Sequence, residues 1–265
     1  MGGRTTGDGT GVGPGTYAAP VTTDELMAAV CPNIRDLGWT YYFVDETVQV
    51  GEAVGLDALT FYVLGRGGVL GDVEPEVVTS AFGYFNPEMI TTIWEAGRAI
   101  LSPREAGRLH WACAADLGRK VFSDLPDLEG FCAAAGAVND AADSVALTLF
   151  AGFHAEPLVE DLPGRAMQLL AILREFRGSA HLVAVRAQGI ALKTAHAITR
   201  PNDMGMMGWS EADTPTIGEA ERQAMARAEA LTDDLVRPAY AVLDDAGRRS
   251  LVEGVDRIKA ILVPR

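Results

Sequence analysis

The sequence predicts an all-α fold, a multi-helix orthogonal bundle, and three observations support this prediction. Alanine, leucine, glutamate and arginine, which favour helices, are plentiful. Runs of β-branched residues, which favour strands, are short. From residue 75 onward, apolar side chains recur at the three- and four-residue spacing of an amphipathic helix. A chain of 265 residues is also long enough to bury a core of its own.

The N-terminal third of the chain contains the ambiguous elements. A first helix is predicted over residues 23–30, with polar N-cap residues at its start and Pro32 behind its end. The pattern of apolar residues in 33–71 does not by itself distinguish helix from strand. The stretch WTYYFV at 39–44 has the composition of a strand, and the glycine-punctuated segments after it fit either short helices or short strands.

The helix starts are clear from Pro75 onward. Pro75 and Pro87 each stand where the first turn of a helix tolerates proline, and SPRE at 102–105 is a capping box ahead of a helix to about residue 121. Proline, glycine and asparagine predict a loop over residues 200–215. Further helices are predicted at 127–140, at 143–151, at 165–198 with a bend at Gly178, at 217–243 and at 245–262.

Charge and composition restrict the class of protein. The chain has 22 Lys and Arg against 36 Asp and Glu, and a formal net charge of −14. Such a field repels phosphates, so the charge disfavours binding to nucleic acid and to a membrane surface. No apolar run approaches the ~20 residues of a membrane span. Three cysteines without a CxxC pair are typical of reduced thiols, so we expect a cytoplasmic protein. Residues 1–20 are rich in glycine and threonine and lack the apolar segment of a secretory signal, so we expect a disordered tail there.

The densest group of polar residues lies in the longest predicted helix. Arg174, Arg177, Gly178 and His181 follow the i, i+3, i+4, i+7 spacing of one helix face. Two guanidinium groups and an imidazole on one face are suited to an anionic ligand, and Gly178 leaves room for it. The alternative is structural: the arginines pair with carboxylates of a neighbouring helix, and His181 is a core residue.

Other candidate sites are weaker. GRGGVLG at 65–71 lacks the third glycine and the following helix of a dinucleotide-binding loop, which favours a tight connection instead. His110 and Cys113 are two ligands without a third, so no metal site is predicted. The methionine- and glycine-rich loop 203–209 is equally compatible with a lid over a pocket and with a loop packed on the core.

Seven short motifs occur in a specific order, and through them residues 33–250 resemble an actinobacterial family of helix-turn-helix or winged-helix proteins of unknown function. The resemblance implies an all-α fold in which residues 33–66 are helical. The motifs are YF at 42–43, GL at 55–56, GRGGVLG at 65–71, PEVV at 75–78, FGYFNP at 82–87, REFRGSAH at 174–181 and GWSE at 208–211.

The chain departs from this family in its C-terminal part. In the family, the motif at 208–211 begins a helix that continues into a recognition helix and a wing. Here Pro215 follows almost directly, and residues 200–265 hold 9 Lys and Arg against 12 Asp and Glu. We therefore predict a main helical domain at 21–198 and a degenerate winged-helix-like region at 199–265 that packs on it.

These observations predict a small-molecule-binding protein that holds a mostly apolar, anionic ligand in a helical core pocket, with haem as a specific case. One alternative is an enzyme of specialised metabolism that uses His181 as acid, base or axial ligand. A DNA-binding regulator is the second alternative, disfavoured by charge, and a homodimer is left open. The predicted ligand-binding residues besides His181 are Arg174, Arg177, Tyr42, Phe43, Arg66, Phe82, Tyr84 and Trp209.

Overall fold

The computed structural model describes residues 21–263, so the predicted disordered tail at 1–20 lies outside the described residues. Within 21–263 the chain forms twelve α-helices and no strand, which confirms the all-α prediction. The helices are α1 (Thr23–Leu37), α2 (Asp45–Ala53), α3 (Ala58–Gly67), α4 (Pro75–Phe82), α5 (Pro87–Arg98), α6 (Pro103–Phe122), α7 (Leu128–Ala141), α8 (Thr148–His154), α9 (Leu162–Ala187), α10 (Leu192–Thr199), α11 (Glu219–Tyr240) and α12 (Asp245–Leu262).

Helix α9 is the centre of the bundle. Residues 166–173 of this helix are buried without interruption, because α1, α6, α7, α8 and α11 all pack around it. A helix that is apolar on every side needs such an enclosure. Gln168 is the one polar residue of this segment. The partly exposed Arg174 follows the segment directly, so the arginines of the stripe begin where the packing opens.

The prediction that the first helix ends near residue 30 is wrong. Helix α1 continues through Pro32 to Leu37, and its start is fixed by a capping box between Thr22 and Glu25. Proline inside a helix removes one backbone hydrogen bond. Burial of Cys31, Ile34 and Leu37 on the core side of α1 offsets that loss.

The segment with strand-forming composition is a turn. Residues 38–44 reverse the chain between α1 and α2, and two of their four aromatic side chains, Tyr41 and Tyr42, are almost completely inside the core. Most of the rest of 33–66 is helical, in α2 and α3, as the resemblance implies. The β propensity of aromatic residues reflects how they pack, and here a turn provides that packing.

The long helix predicted at 165–198 is two helices. Gly178 lies inside α9, and the interruption falls at residues 188–191, where Gly189 adopts φ of 74° and a new helix, α10, follows. Glycine is the residue that tolerates this left-handed conformation. The glycines of 65–68 serve close packing. A Cβ at Gly65 would lie 2.5 Å from Cβ of His110, and a Cβ at Gly68 would lie 2.0 Å from the Pro103 carbonyl oxygen on α6.

The C-terminal helices share the core of the bundle. Helix α11 packs along α9, and α12 packs on α7 and α1, where Leu251, Val255 and Ile258 are buried. Because residues 21–263 contain no strand, this part of the chain has no wing. No helix within the same residues has by itself the length and apolarity of a membrane span. One pair of segments, Asp45–Ala53 and Ala58–Leu70, has the required length and apolarity only when the two are taken together, and a bend of 86° separates them.

Candidate functional site

Four residues of α9 form the floor of a partly enclosed cavity of about 260 Å³. They are Arg174, Arg177, Gly178 and His181, which share one helix face as their spacing predicts. A Cβ atom added at Gly178 would have no neighbour within 4 Å, so this glycine leaves the floor open. The walls come from α1, α3, α4, α8, α10 and α11 and from the turns near residues 84 and 207.

The cavity lining is positively charged although the chain as a whole carries a formal charge of −14. Five arginines and two glutamates face the space, so positive formal charges exceed negative ones by three. Two half-exposed carboxylates outside the lining, Asp36 and Asp233, pair with Arg35 and Arg177, and the contact of these carboxylates with water weakens the pairs. The lining charges are Arg35, Arg66, Arg174, Arg177, Arg200, Glu175 and Glu229.

The inner end of the cavity is built around the buried carboxylate of Glu175. Arg66 donates to it from Nε at 3.1 Å and from Nη2 at 2.9 Å, and the hydroxyl of Tyr42 donates at 2.7 Å. Arg174 donates to the same carboxylate from Nη1. Burial alone raises the pKa of Glu175, but Arg174 and Arg66 outweigh burial and lower it to about 2. Two guanidinium groups therefore share one negative charge.

The two arginines of this cluster differ in how many of their nitrogens remain without a hydrogen-bond acceptor. Arg66 uses its third nitrogen on the hydroxyl of Tyr62 at 3.2 Å, and its guanidinium lies 4.4 Å from the centre of the Phe82 ring. Arg174 uses only Nη1, on Glu175 and on Tyr42. Among residues 21–263 its Nε and Nη2 have no acceptor, so Arg174 has donors free for a ligand and Arg66 holds the carboxylate in place.

The outer end of the cavity is a second charged cluster. Arg177 donates from Nη2 to Glu229 at 2.9 Å and to Asp233 at 3.2 Å, both on α11. Its Nε is buried without a partner within the described part of the chain. Arg35 and Arg200 come from α1 and from the segment after α10, and both approach Asp36. The structural alternative for Arg177, pairing across to a neighbouring helix, is thus present in the structure.

His181 is held by a hydrogen bond on one side of its ring. Nδ1 lies 2.8 Å from the hydroxyl oxygen of Thr232, and Nε2 lies 3.8 Å from a carboxylate oxygen of Glu229. Burial lowers the pKa of His181, as do Arg177 and Arg35, against the opposing effect of the nearby carboxylates. The imidazole is therefore neutral at pH 7 and exposes Nε2 to the cavity.

A second histidine, His196 on α10, also lines the cavity. It is 6% exposed, its ring centre lies 5.5 Å from that of Tyr84, and its buried Nε2 has no partner among the described residues. Burial lowers its pKa. His110 lies behind the cavity among aromatic rings, where burial lowers its pKa to about 3. Both rings stay neutral at pH 7.

The apolar part of the lining is largely aromatic. Next to it, two hydrogen bonds join the loop 200–209 to the turn after α4. The backbone N–H of Asn86 donates to the Met207 carbonyl at 2.8 Å, and Nε1 of Trp209 donates to the Tyr84 carbonyl at 2.8 Å. The loop is thus packed on the bundle, and Met207 completes one wall. The aromatic residues of the lining are Tyr62, Phe82, Tyr84 and Phe85.

Six of the nine predicted site residues line this cavity: His181, Arg174, Arg177, Arg66, Phe82 and Tyr84. Three do not. Tyr42 stands one layer behind, as a donor to Glu175. Phe43 is 42% exposed and packs on the ring of Tyr62 at 5.1 Å. Trp209 supports Tyr84 and lies under the ammonium group of Lys193.

Sequence reasoning missed the lining residues that come from other helices. These residues belong to no shared motif, and the sequence does not show that they lie close to α9 in the fold. They are Arg35 on α1, His196 on α10, Arg200 directly after α10, and Glu229 on α11. Glu175 stands inside the motif at 174–181 but off the stripe. Only the presence of a carboxylate within a predicted apolar segment could have marked it.

Two classes of chemistry have no support in residues 21–263. No group of three His, Cys, Asp or Glu side chains within them has the arrangement of a metal site. The three cysteines are unpaired and buried, and burial raises the pKa of each thiol to about 11. A thiol with that pKa is a poor nucleophile at neutral pH.

A family described as a helix-turn-helix family matches residues 28–265. The chain belongs to this helix-turn-helix family. The family that the sequence motifs indicate is thereby confirmed, and the match contains every residue of the cavity, from Arg35 to Glu229. No curated protein and no solved structure matches this member of the helix-turn-helix family.

Proposed function

We propose that this protein binds a small, mostly apolar, anionic molecule in the cavity above α9. The observation that carries the proposal is the sign of the lining charge. Five arginines surround this space in a chain whose remaining surface is acidic, so the electrostatic potential favours an anion there and repels it elsewhere. The aromatic rings of α3, α4 and the turn after α4 offer apolar contact to the rest of the ligand.

Arg174 is the best-placed anchor for the anionic group. Its Nε and Nη2 lack acceptors within the described chain, and two nitrogens of one guanidinium match the two oxygens of a carboxylate. The neighbouring cluster of Arg66 and Glu175 keeps Arg174 oriented before any ligand arrives. Little side-chain ordering is then needed on binding, which favours affinity.

The volume of the cavity limits the size of the ligand. About 260 Å³ lies below the usual range of drug-sized pockets, roughly 300–1,000 Å³. A single aromatic ring with a carboxylate fits this space, whereas a tetrapyrrole requires more. Haem is therefore the less favoured occupant, and an absorption spectrum of the purified protein, with or without a Soret band, tests it.

Isothermal titration with benzoate and benzamide tests the proposal. The two molecules have nearly the same shape, but only benzoate is charged, so we expect benzoate to bind and benzamide to bind at least about tenfold more weakly. Arg174→Gln should weaken benzoate binding to a similar extent, and Arg257→Gln, on the distant α12, should leave it unchanged. Equal binding of the two molecules, or no binding of either, would contradict the proposal.

DNA binding is a second candidate, favoured by the name of the family. Helix α12 argues against it, because its exposed charged residues are three acidic and two basic ones and form no basic face. Fluorescence anisotropy with labelled duplex DNA at low salt separates the candidates. Binding that weakens steeply with salt would support a DNA-binding role.

Catalysis in the same cavity is a third candidate, and the accessible Nε2 of His181 favours it. A neutral imidazole with one nitrogen fixed and the other open is the usual form of a general base. In an enzyme, His181→Ala would abolish turnover while benzoate still bound. In a binding protein, the same variant would change affinity alone.

A further inference from the structure

The hydrogen bonds behind His181 determine which nitrogen of its ring carries the proton. The hydroxyl of Thr232 lies 2.7 Å from the carbonyl oxygen of Ala228, and two oxygens at that distance need a hydrogen between them. A threonine hydroxyl has only one hydrogen to donate. Thr232 must therefore accept from His181, and the 2.8 Å contact places the proton on Nδ1.

With the proton on Nδ1, Nε2 of the neutral ring is an acceptor. A carboxylate oxygen of Glu229 lies 3.8 Å from it and is another acceptor, so no hydrogen joins the two atoms. His110 and His196 have their Nε2 atoms buried without partners, whereas Nε2 of His181 keeps contact with the cavity. Two acceptors thus face a space that is otherwise lined by arginine donors.

We propose that the ligand carries, besides its anionic group, a hydroxyl group that donates to Nε2 of His181, so that the preferred ligands are hydroxy-acids. This inference rests on the proposed function, because it concerns the same cavity. A hydroxyl supplies the hydrogen that Nε2 lacks within the described part of the chain, whereas Glu229 already accepts one from Arg177. An ammonium group could also donate, but the excess of arginines in the lining disfavours a second cation.

Thr232 acts here as a positioning residue. It is fully buried and outside the cavity lining, so it touches no ligand, and its effect passes through the ring of His181. Thr232→Val keeps the shape of the side chain and removes the acceptor. The proton of His181 is then free to move to Nε2, where it would oppose a donor from the ligand. Thr232→Ser keeps the hydroxyl and serves as the matched control.

The affinities of benzoate, the three hydroxybenzoate isomers and the corresponding methoxybenzoates test this inference. A methoxy group accepts but cannot donate, so we expect one hydroxybenzoate isomer to bind about tenfold more tightly than benzoate and than its methoxy analogue. The gain should disappear in Thr232→Val and return in Thr232→Ser. Benzoate itself should bind all three proteins alike.

The outcomes separate the two proposals. If benzoate binds but no hydroxybenzoate binds better, the hydroxy-acid inference is wrong and the proposed function stands. If neither class binds, the proposed function fails as well. A ligand-free measurement checks the premise: ¹⁵N NMR of the imidazole nitrogens should show the proton of His181 on Nδ1. A proton on Nε2 would overturn the inference whatever the affinities are.

Discussion

At the scale of single residues, the two arginines beside Glu175 have different roles: one neutralises the carboxylate and the other also offers donors to the cavity. Arg66 uses all three of its nitrogens on protein groups and is 6% exposed, so its role is to neutralise a buried carboxylate. Arg174 shares that carboxylate but keeps donors for the cavity. Tyr42 adds a neutral donor, and burial raises the pKa of its hydroxyl so that it stays protonated. The carboxylate is satisfied before any ligand binds.

Replacement of Arg66 should affect stability more than binding. Arg66→Met leaves Glu175 buried with one fewer cation, and removal of one partner from a buried pair costs about 3 kcal/mol in free energy of unfolding. Arg257→Met, which breaks the more exposed pair with Glu253, should cost less than about 1 kcal/mol. Urea denaturation measures both. Equal losses in the two variants would show that the buried cluster is not held by Arg66.

At the scale of helices, Gly178 is the feature that opens the cavity. A glycine in the interior of a helix destabilises the helix, and this one has open space where a side chain would be. Gly136 in α7 is its counterpart away from the cavity, since a Cβ there also meets nothing within 4 Å. Gly178 lines the cavity and Gly136 does not.

Substitutions at these two glycines should separate stability from binding. Gly178→Ala and Gly136→Ala should each raise the free energy of unfolding by roughly 0.5–1 kcal/mol, because alanine favours the helix. Gly178→Leu should fill the cavity and abolish benzoate binding without loss of stability, while Gly136→Leu should leave binding intact. If Gly178→Leu binds benzoate normally, the ligand does not occupy the space above α9.

A helix could be predicted from the sequence where its own residues contain the signal, such as a cap or a regular spacing. The start of α6 follows from Ser102 and Pro103, and the stripe on α9 follows from spacing. The first helix was misjudged because the cost of Pro32 is visible in the sequence and the burial that offsets it is not. The cavity walls were missed for a related reason. Spacing along one helix defines a face, but not which helix, such as α1 with Arg35, packs opposite.

At the scale of the whole molecule, buried histidines make the fold sensitive to acid. The pKa of His110 in the folded protein is lowered to about 3 by burial, with a further contribution from Arg66 and an opposing one from Glu175. An unfolded histidine has a pKa near 6.5. Below that pH the unfolded chain binds a proton that the folded chain does not. Stability should therefore fall as the pH drops from about 6.5 towards 3.

His110→Leu should remove this part of the acid sensitivity. One proton of difference corresponds to about 1.4 kcal/mol for each pH unit, so between pH 7 and pH 5 the natural protein should lose roughly 2 kcal/mol more than the variant. Urea denaturation at the two pH values gives the comparison. A loss of the same size in both proteins would mean that His110 is protonated in the folded state.

The separation of charge is the other property of the whole molecule. Acidic residues predominate in the chain as a whole, whereas arginines predominate in the lining of the cavity. The proposed binding of a small anion depends on this contrast. Composition reveals the acidity of the whole chain but not the excess of arginines in the cavity, which is the second half of this arrangement. The second half depends on arginines from α1, α3, α9 and the segment after α10 that converge only in the folded chain. A net charge is thus a poor guide to the sign of an internal site.

The most direct test of the account is a crystal structure of the protein grown with 4-iodobenzoate. The anomalous signal of iodine locates the ligand without reference to any assumed position. We predict one strong peak in the cavity near Phe82 and Tyr84, with the carboxylate bound by Nε or Nη2 of Arg174. Iodine only at other positions, or a cavity filled by water alone, would contradict the claim that this space is a binding site for small carboxylates.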